Sequence, residues 1–407
     1  MELPPWLAYG IVAAVIVAHF GLHIAAYNRI NATGLRRVLV KGVVKLLLLS
    51  CLLLPLLAVV QLSELLATGL QGELTVSHLA SLPSGWRIYG AICLLSLPVL
   101  GIPWLCWRPI WKLEWLEAPR QIEVHDLRSQ LAEPLALTRK CRTALQIPGN
   151  QIGELAVERI ELPVAGLPPQ LDGYRIAQLS DLHFTGHLSP AMTAWAVERG
   201  NGFEPQLFAL TGDIIDKAAC VDWLGEALGH AHAADGCYFI LGNHDRRVSD
   251  PAVVRAAMVR LGWHDVGSRC LPVRLSSTAA GPAGPQAAGV AAQILGNERP
   301  WFGAPSELQL EPSSAAFRLL LAHSPDQIGW ARRHGVHLML AGHTHGGQGR
   351  LPLIGPVLSP SWHGSRFASG DFFKPPTTMH VSRGISGAHL LRLRCRPELS
   401  LLTLRSV

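Results

Sequence analysis

The stretch LMLAGHTHGGQGR, Leu338 to Arg350, decides which fold the sequence encodes. Its apolar first half is typical of a buried β-strand, and its second half is a glycine-rich loop that carries His343 and His345. Side chains two residues apart in an extended segment point the same way, so both imidazoles can enter one site. The stretch therefore predicts a functional site at the carboxyl edge of a sheet.

Four earlier segments have the same form, a short apolar run followed at once by a loop of polar side chains. Segments with a proline in the first turn and a glycine at the end separate several of the runs, which is typical of helices between the strands of an α/β sheet. The strands and their polar residues are YRIAQLS (Tyr174–Ser180) with Asp181 and His183, LFALT (Leu207–Thr211) with Asp213 and Asp216, CYFIL (Cys237–Leu241) with Asn243, His244 and Asp245, and RLLLA (Arg318–Ala322) with His323.

The polar residues of these loops form one set of candidate metal ligands. Each loop alone has an ordinary structural explanation, because a G-D pair usually marks a turn and a histidine after a strand is usually hydrogen-bonded. The ordered set at successive strand ends favours function, since ligand sites in α/β sheets form there. Histidine, aspartate and asparagine suit divalent Mn, Fe, Zn or Ni, and so many ligands suit two ions ~3.5–4 Å apart. An imidazole that binds neither ion can protonate a leaving oxygen.

The first third of the chain has a different composition and predicts a membrane region. Hydrophobic residues make up 49% of the chain and charged residues 16%, whereas an ordinary soluble domain has about 25% charged residues. Three apolar runs, at about residues 6–27, 40–62 and 88–107, approach the ~20 residues that cross a hydrocarbon core. We interpret them as three transmembrane helices, with the alternative that one is buried or re-entrant. The second is the weakest, because Lys41, Lys45 and Pro55 interrupt it.

The charges of the loops predict how this region is oriented. Basic residues are concentrated in the loop after the first run and in the segment after the third, while the loop between the second and third carries Glu64 and Glu73. The positive-inside rule then places the N-terminus outside and everything after Trp107 in the cytoplasm, at an inner (cytoplasmic) membrane. The predicted organisation is a membrane region over 1–115, a juxtamembrane linker or amphipathic segment over 116–152, and an α/β domain over 153–407.

Charge and cysteine usage narrow the class of protein further. The net charge of +6 is compatible with nucleic acid or an anionic membrane surface as a partner. The basic residues form no long run and aromatic residues do not interleave with them, so we expect no nucleic-acid partner. The eight cysteines are scattered without a C-x-x-C pair, which argues against a disulfide framework and fits a reducing compartment.

The order of the blocks, D-x-H, G-D, G-N-H-D, H and G-H-x-H, resembles the signature of the calcineurin-like metallophosphoesterases, and it extends from Tyr174 to about Gly347. The resemblance implies a four-layer α/β/β/α sandwich and a hydrolase with two divalent metal ions, Mn being favoured over Fe, Zn or Ni. Its implied ligands are Asp181, His183 and His345 for the first ion, Asn243, His323 and His343 for the second, and Asp213 as the bridge. It also implies His244 as the general acid, Asp216 as the residue that orients it, and Asp245 as a supporting residue.

The flanking sequence is similar to a membrane-associated bacterial subgroup of this superfamily. GHTHGGQ is followed by LPLIGP and later by MHVSRGISG (Met379–Gly387), and LDGYRIAQLSDLHF opens the domain. One branch of that subgroup hydrolyses the pyrophosphate of UDP-2,3-diacylglucosamine to lipid X and UMP in lipid A synthesis, which makes this glycolipid the favoured substrate. The alternatives are a broad-specificity phosphodiesterase on other nucleotide or lipid headgroup substrates and a non-catalytic metal-binding scaffold. GDIIDKA and GNHDRR depart from the blocks of protein phosphatases, so a phosphoprotein substrate is disfavoured.

A few residues near the motifs have more than one interpretation. Arg246, Arg247 and Arg350 could hold a phosphate or be solvated surface residues, and they stay outside the predicted site. Trp301 and Trp362 could line a groove for acyl chains, although packing in the core or at the rim is the more ordinary role of such residues.

Overall fold

The computed structural model of the chain describes residues 4–108, 111, 113–278, 289–306, 316–387 and 389–407. Its contacts divide the chain into two units. The helical unit is Met1–Leu113 with Gly364–Arg366, and the α/β unit is Glu114–His363 with Phe367–Val407.

The helical unit contains the three apolar runs as helices. Within the described ranges, three segments are long and apolar enough to cross a membrane, Trp6–Asn31, Arg37–Gln61 and Ser84–Cys106, with 26, 25 and 23 residues. Each exceeds the ~20 residues that span a hydrocarbon core. The third segment joins two helices through a π-helical turn, Leu97–Gly101. The helices are α1 (Pro5–Asn31), α2 (Arg37–Gln61), α3 (Ser63–Leu70), α4 (Val76–Ala80), α5 (Ser84–Ser96) and α6 (Ile102–Cys106).

Helix α2 continues through Pro55 without a break. Proline has no N–H, so the carbonyl of Cys51 loses its usual helical donor. His19 Nε2 on α1 lies 3.0 Å from that carbonyl oxygen and donates a hydrogen bond to it. The neighbouring helix therefore satisfies a carbonyl that would be costly to leave unpaired in an apolar environment.

The α/β unit is built from strands and short helices in the described part of the chain. Its strands are β1 (Arg120–Asp126), β2 (Glu154–Val164), β3 (Arg175–Leu179), β4 (Leu207–Thr211), β5 (Cys237–Ile240), β6 (Trp263–Asp265), β7 (Cys270–Leu275), β8 (Val290–Asn297), β9 (Phe317–Ala322), β10 (Leu338–Ala341), β11 (Arg350–Leu351), β12 (Gly355–Pro356), β13 (Gly370–Lys374), β14 (Thr377–Val381) and β15 (Glu398–Ser406). Its helices are α7 (Leu127–Gln130), α8 (Arg139–Leu145), α9 (Ala191–Asn201), α10 (Trp223–Leu228), α11 (Pro251–Arg260) and α12 (Ile328–Arg333).

The strands form two mixed sheets and one hairpin. The first sheet has the order β1-β2-β15-β3-β4-β5-β6, the second has the order β13-β14-β10-β9-β8-β7, and β11 pairs with β12. Strands β3 to β6 are parallel to one another, and so are β8, β9, β10 and β14. The loops that follow parallel neighbours leave the sheet at one edge, which brings the loops after β3, β4 and β5 together and likewise those after β9 and β10.

Apolar side chains fill three regions of the α/β unit. One region contains side chains of both sheets, Ile176 and Leu207 from the first with Leu319 and Leu338 from the second. Another packs α9, α10 and α11 against the first sheet, and the last packs α12 against the second sheet around Met339. Both sheets are therefore buried on two faces, as parallel strands require.

Residues 116–152 do not form the linker that the sequence suggested. Strand β1 pairs along its whole length with β2 in the first sheet, and Leu127 and Cys141 of the next two helices are fully buried in the core. The predicted boundary at residue 153 is therefore too late, since this segment belongs to the α/β unit. Its polar, exposed edge strand lacks the continuous apolar run by which the central strands were recognised.

Candidate metal centre

The loops after β3, β4, β5, β9 and β10 bring their polar side chains into one buried cluster. In the described part of the chain, three overlapping groups there have ligand atoms that all lie within 4.8 Å of one another. They share His183 and Asp213, so they form one continuous centre. The groups are Asp181, His183, Asp213 and His345; His183, Asp216 and His244; and Asp213, His323 and His343.

The first half of the centre joins the loops after β3 and β10. His345 Nε2 lies 3.1 Å from His183 Nε2 and 3.4 Å from Asp181 Oδ1. His183 Nε2 also lies 3.5 Å from Asp213 Oδ2. Three side chains predicted to bind the first ion and the predicted bridging carboxylate thus face the same point.

The second half of the centre joins the loops after β4, β5, β9 and β10. His323 Nε2 lies 3.3 Å from Asp213 Oδ1 and 3.1 Å from Asn243 Oδ1, and the rings of His323 and His343 are 4.8 Å apart. His343 Nε2 is buried and has no hydrogen-bond partner among the residues that the structure describes. A buried polar atom without a partner costs about 1–3 kcal/mol, and metal coordination is one way in which a protein recovers such a cost. The His, Asp and Asn donors therefore fit two divalent ions.

Hydrogen bonds behind the centre fix which nitrogen of two histidines is free to bind a metal. His183 Nδ1 lies 2.7 Å from Asp216 Oδ2, and His323 Nδ1 lies 2.7 Å from the carbonyl oxygen of Thr211. A carboxylate and a carbonyl can only accept, so each Nδ1 carries the proton. The lone pair of each ring is then on Nε2, which faces the centre, as in the carboxylate–histidine–metal arrangement.

His244 stands beside the cluster and is held by two partners. Its Nδ1 donates to Asp216 Oδ1 at 2.6 Å, and its Nε2 lies 2.7 Å from the guanidinium of Arg247. Arg247 also contacts Asp216, so one carboxylate serves two histidines and an arginine. The sequence interpretation left Arg247 outside the site. A turn of 3-10 helix, Asp245–Arg247, brings it back over His244.

Asp245 has a structural task in the centre. Its carboxylate accepts backbone N–H groups from Gly242 at 2.7 Å, Ile215 at 2.8 Å and Ile214 at 3.1 Å. These bonds tie the loop after β4 to the loop after β5. Burial, together with the charge of Asp213, raises the pKa of Asp245 to about 7.

The backbone of the centre adopts a conformation that costs free energy. Asp181, His183, Asp213, His343 and His345 all have positive φ, at 53°, 48°, 55°, 70° and 50°. A left-handed conformation at a residue other than glycine costs about 1–3 kcal/mol, and such residues cluster at functional sites. The surrounding structure therefore maintains this geometry at the expense of stability.

The carboxylates and two of the imidazoles of the centre are in the protonation states that bind metals. Burial lowers the pKa of His343 to about 3 and lowers the pKa of His345 well below its usual value, so both rings are neutral. Burial alone would raise the pKa of Asp181 and Asp213, but the charges of neighbouring histidines outweigh it and lower both. Burial would lower the pKa values of His323 and His183, but neighbouring carboxylates raise them to about 9 and about 10, so these two rings must each lose a proton when a metal binds. Ionised carboxylates and neutral imidazoles are the forms that bind metals.

Trp301 is a further residue that the sequence interpretation did not assign to the site. Its ring lies 4.7 Å from the ring of His343 and 5.4 Å from that of His323, and it is half-buried. It therefore packs on the second half of the centre. The loop that carries it follows β8, which gave no motif in the sequence.

Residues 174–347 match the profile of the calcineurin-like phosphoesterase family. An uncharacterized metallophosphoesterase of Bacillus subtilis is 30% identical over 59% of this chain and 82% of its own length. A bovine transmembrane protein with a metallophosphoesterase domain is 30% identical over 77% of this chain and 70% of its own length. A UDP-2,3-diacylglucosamine pyrophosphatase of Chlamydia trachomatis is more distant, at 23% identity over 57% of this chain and 84% of its own length.

Proposed function

Because the chain belongs to the calcineurin-like phosphoesterases, we propose that its Asp/His centre binds two divalent ions and hydrolyses a phosphodiester or pyrophosphate bond at a membrane. Membership in this family makes the protein a metal-dependent phosphoesterase. The observation that carries the proposal is the position of Asp213, whose Oδ2 lies 3.5 Å from His183 Nε2 and whose Oδ1 lies 3.3 Å from His323 Nε2. A carboxylate between two sets of donors is what a pair of metal ions requires.

The proposed ligands follow the two halves of the centre. Two ions bound there would lower the pKa of a water molecule and neutralise the charge of the phosphoryl oxygens. Asp216 and Thr211 orient two of the imidazoles through Nδ1 and leave Nε2 for coordination. The proposed ligands are Asp181, His183 and His345 for one ion, Asn243, His323 and His343 for the other, and Asp213 between them.

His244 is the proposed general acid for the leaving oxygen. It lies next to the centre, and its Nδ1 is held by Asp216. Arg247 can only donate to Nε2 of the same ring, so this nitrogen carries no proton in the present arrangement. To act as the general acid, the ring would take up a proton on Nε2, and Arg247 would turn from it toward a phosphoryl oxygen. An imidazole that only supported a structural metal would have no need of this partly exposed position beside the centre, which argues against the non-catalytic scaffold.

The proposed substrate is UDP-2,3-diacylglucosamine, cleaved to lipid X and UMP in lipid A synthesis. The distant relative from Chlamydia that bears this activity in its name supports the proposal, as does the presence of three helices that can cross a membrane. We further propose Mn as the metal, a four-layer α/β/β/α arrangement of the α/β unit, and a multi-pass position in the inner membrane with this unit in the cytoplasm. The alternative is a broad-specificity phosphodiesterase, and the experiment described next distinguishes it from an enzyme specific for the glycolipid.

The experiment uses detergent-purified full-length protein, stripped of metal and reloaded with Mn. It compares UDP-2,3-diacylglucosamine with bis-p-nitrophenyl phosphate, a soluble diester. His345→Ala removes a proposed ligand, and His232→Ala, at an exposed histidine outside the centre, is its matched control. Metal-dependent release of UMP and lipid X that is lost only in His345→Ala supports both chemistry and substrate. Hydrolysis of the diester alone keeps the phosphoesterase and rejects the glycolipid.

A further inference from the structure

A segment of the α/β unit that closely follows the GHTH loop in sequence exposes large apolar side chains. Leu353 is 90% exposed, and Leu351, Ile354, Leu358 and Trp362 are between 42% and 53% exposed. They lie within twelve residues, 351–362, which are called the apolar segment below. Soluble proteins rarely expose so many large apolar side chains together, and where they do the surface usually contacts a membrane or another protein.

The first part of the apolar segment is an ordered hairpin. Strands β11 and β12 pair Arg350 with Pro356 and Leu351 with Gly355. Leu353 lies in the connection between them and has a φ of 64°. The protein therefore holds an apolar side chain outward at a position where the backbone itself is unfavourable for leucine. Such a feature is difficult to explain by folding alone.

The base of this hairpin is fixed to the loop that carries the metal-ligand histidines. Arg350 Nε donates to the carbonyl of Gly346 at 3.0 Å, and the Arg350 N–H donates to the carbonyl of Leu393 at 3.0 Å. Gly346 follows His345 directly. Whatever the apolar segment contacts is therefore held at a defined position relative to the centre.

The covalent structure of the chain indicates which partner covers the apolar segment. Helix α6, the last part of the third membrane-length segment, ends at Cys106, and the α/β unit begins at Glu114. The intervening residues, 107–113, can extend no more than about 25 Å. On its other side the apolar segment leads, after His363, into Gly364–Arg366, which belong to the helical unit. A lipid surface is thus at a high effective concentration for this segment, and a separate protein is not.

We propose that the apolar segment docks on the lipid bilayer, with Leu353 and Ile354 among the acyl chains and Trp362 at the interface. Leucine and isoleucine gain free energy on leaving water for hydrocarbon, and tryptophan favours the headgroup region. The segment then presents the metal centre to phosphate groups at the membrane surface. The inference rests on the proposed function and deepens it. It defines the substrate class as phosphoesters of lipids that stay in the bilayer.

A photo-cross-linking experiment tests the docking itself. The full-length protein, with p-benzoylphenylalanine at position 353, is placed in lipid nanodiscs and irradiated, and lipid adducts are measured by mass spectrometry. The same substitution at Val259, a valine 54% exposed on α11 of the same unit, is the control. Adducts at 353 well above those at 259 support the proposal. Equal adducts, or a protein–protein cross-link at 353 in place of lipid, overturn it.

A kinetic experiment tests the consequence for substrate choice. The Leu353→Asp, Ile354→Asp double variant and the Val259→Asp control are assayed on a phosphodiester lipid embedded in vesicles and on soluble bis-p-nitrophenyl phosphate. The ratio of the lipid rate to the soluble rate should fall by about tenfold in the double variant, because two anchoring side chains are lost. An unchanged ratio overturns the proposal. Lipid adducts at position 353, together with a wild-type protein that hydrolyses neither ester, would instead contradict the proposed function and leave the docking intact.

Discussion

Asp216 is one carboxylate that supports two histidines with different tasks. Its Oδ2 accepts from His183 Nδ1 at 2.7 Å, and its Oδ1 accepts from His244 Nδ1 at 2.6 Å. The first bond orients a proposed metal ligand, and the second orients the proposed general acid. The resemblance of GDIID to the family motif implied only the second task, so the first is a finding of the structure.

Replacing Asp216 by asparagine should weaken metal binding and turnover together. The neutral amide no longer supplies the negative charge that holds both Nδ1 protons, and loss of such a partner costs ~10–100-fold in metal affinity or activity. The measurements are metal content against free-ion concentration, and kcat on a soluble diester. Asp222→Asn, at an exposed carboxylate, should change neither. Normal metal content in Asp216→Asn would show that metal binding does not depend on the bond from His183 to Asp216. A normal kcat would show that turnover does not depend on the bond from His244.

Arg247→Ala should lower kcat/KM for phosphodiesters by about 10–100-fold. The guanidinium lies at Nε2 of His244, and a hydrogen bond from a charged donor to a phosphoryl oxygen contributes about 1.5–3 kcal/mol. Steady-state kinetics on metal-loaded protein would measure the loss, and added guanidinium ion should restore part of the rate. Arg246→Ala, at the exposed neighbouring arginine, is the matched control. An equal loss in both variants would indicate a general effect of positive charge and not a contact of Arg247.

At the scale of residues, the sequence indicated the side chains that carry motifs and missed those that depend on packing. The histidines and carboxylates of the five blocks do come together, although their individual roles as ligands stay predictions. Arg247 reaches the centre only because a 3-10 turn reverses the chain after His244. Trp301 reaches it from a loop of the second sheet. Neither turn geometry nor sheet-to-sheet proximity is visible in a local pattern of residues.

At the scale of elements, a ring of buried charges joins the two sheets. His380 of β14 donates to Asp371 of β13 at 2.6 Å, and Arg120 of β1 contacts the same carboxylate. Arg383, just after β14, lies 3.0 Å from Glu398 of β15. The ring consists, in order, of Asp371, His380, Glu398, Arg383, Glu158 and Arg120.

The ring of charges also supports the metal centre. The backbone N–H of Glu398 donates to the carbonyl of Gly384 at 2.9 Å. Gly384 packs so closely on Asp181 that a Cβ added to it would lie 2.6 Å from the Cβ of Asp181. Only glycine fits there, and its φ of 76° is one that glycine adopts without strain. The ring therefore holds a strand end against a proposed metal ligand.

The stability of the α/β unit should decrease at alkaline pH because of His380. Burial lowers its pKa, but the charge of Asp371 and hydrogen bonds within the ring outweigh that effect and raise the pKa from 6.5 to about 9. A group whose pKa is raised by folding stabilises the protein fully below the unfolded value, and this contribution is lost as the pH rises through the folded value. The temperature of the thermal unfolding midpoint should therefore decrease as the pH is raised from 6.5 to about 9.

The variant His380→Gln isolates this effect, because glutamine has no proton to lose in that range. Its unfolding midpoint should be lower than that of the wild type near pH 6.5 and should change less up to pH 9. His232→Gln, at an exposed histidine, should follow the wild type. A pH dependence in His380→Gln identical to that of the wild type would show that another group causes the decrease.

The strands that carry the ligand loops could be predicted from the sequence, and their neighbours in the sheets could not. The five apolar runs correspond to β3, β4, β5, β9 and β10, because parallel strands buried on both faces are continuously apolar. Asp250 caps α11 through the N–H of Ala252, directly before a first-turn proline of the kind by which the sequence predicted helices between the strands. Strands β1, β2 and β15 were missed. Their pairing joins segments far apart in the chain, and an edge strand such as β1 has a polar face.

At the scale of the whole molecule, the predicted three membrane helices are present by length and composition, but their direction rests on charge alone. Arg29, Arg36 and Arg37 lie at the connection between α1 and α2, and Arg108 lies just after α6. Glu64 and Glu73 lie between α2 and α5. Moving the basic connections across a bacterial inner membrane would be unfavourable, and this is the ground for the prediction that three crossings leave the α/β unit on the cytoplasmic side.

Two reporter fusions, each in the full-length protein expressed in a bacterial inner membrane, measure this orientation. A green fluorescent protein after Val407, an exposed C-terminal residue, should fluoresce, because it folds in the cytoplasm and not after export in the unfolded state. Alkaline phosphatase inserted at Gly72, in the exposed turn between α3 and α4, should be active, because it needs the oxidising side of the membrane to form its disulfides. The reverse pair of signals would place the α/β unit outside, and the proposed cytoplasmic nucleotide-linked substrate would then be out of its reach.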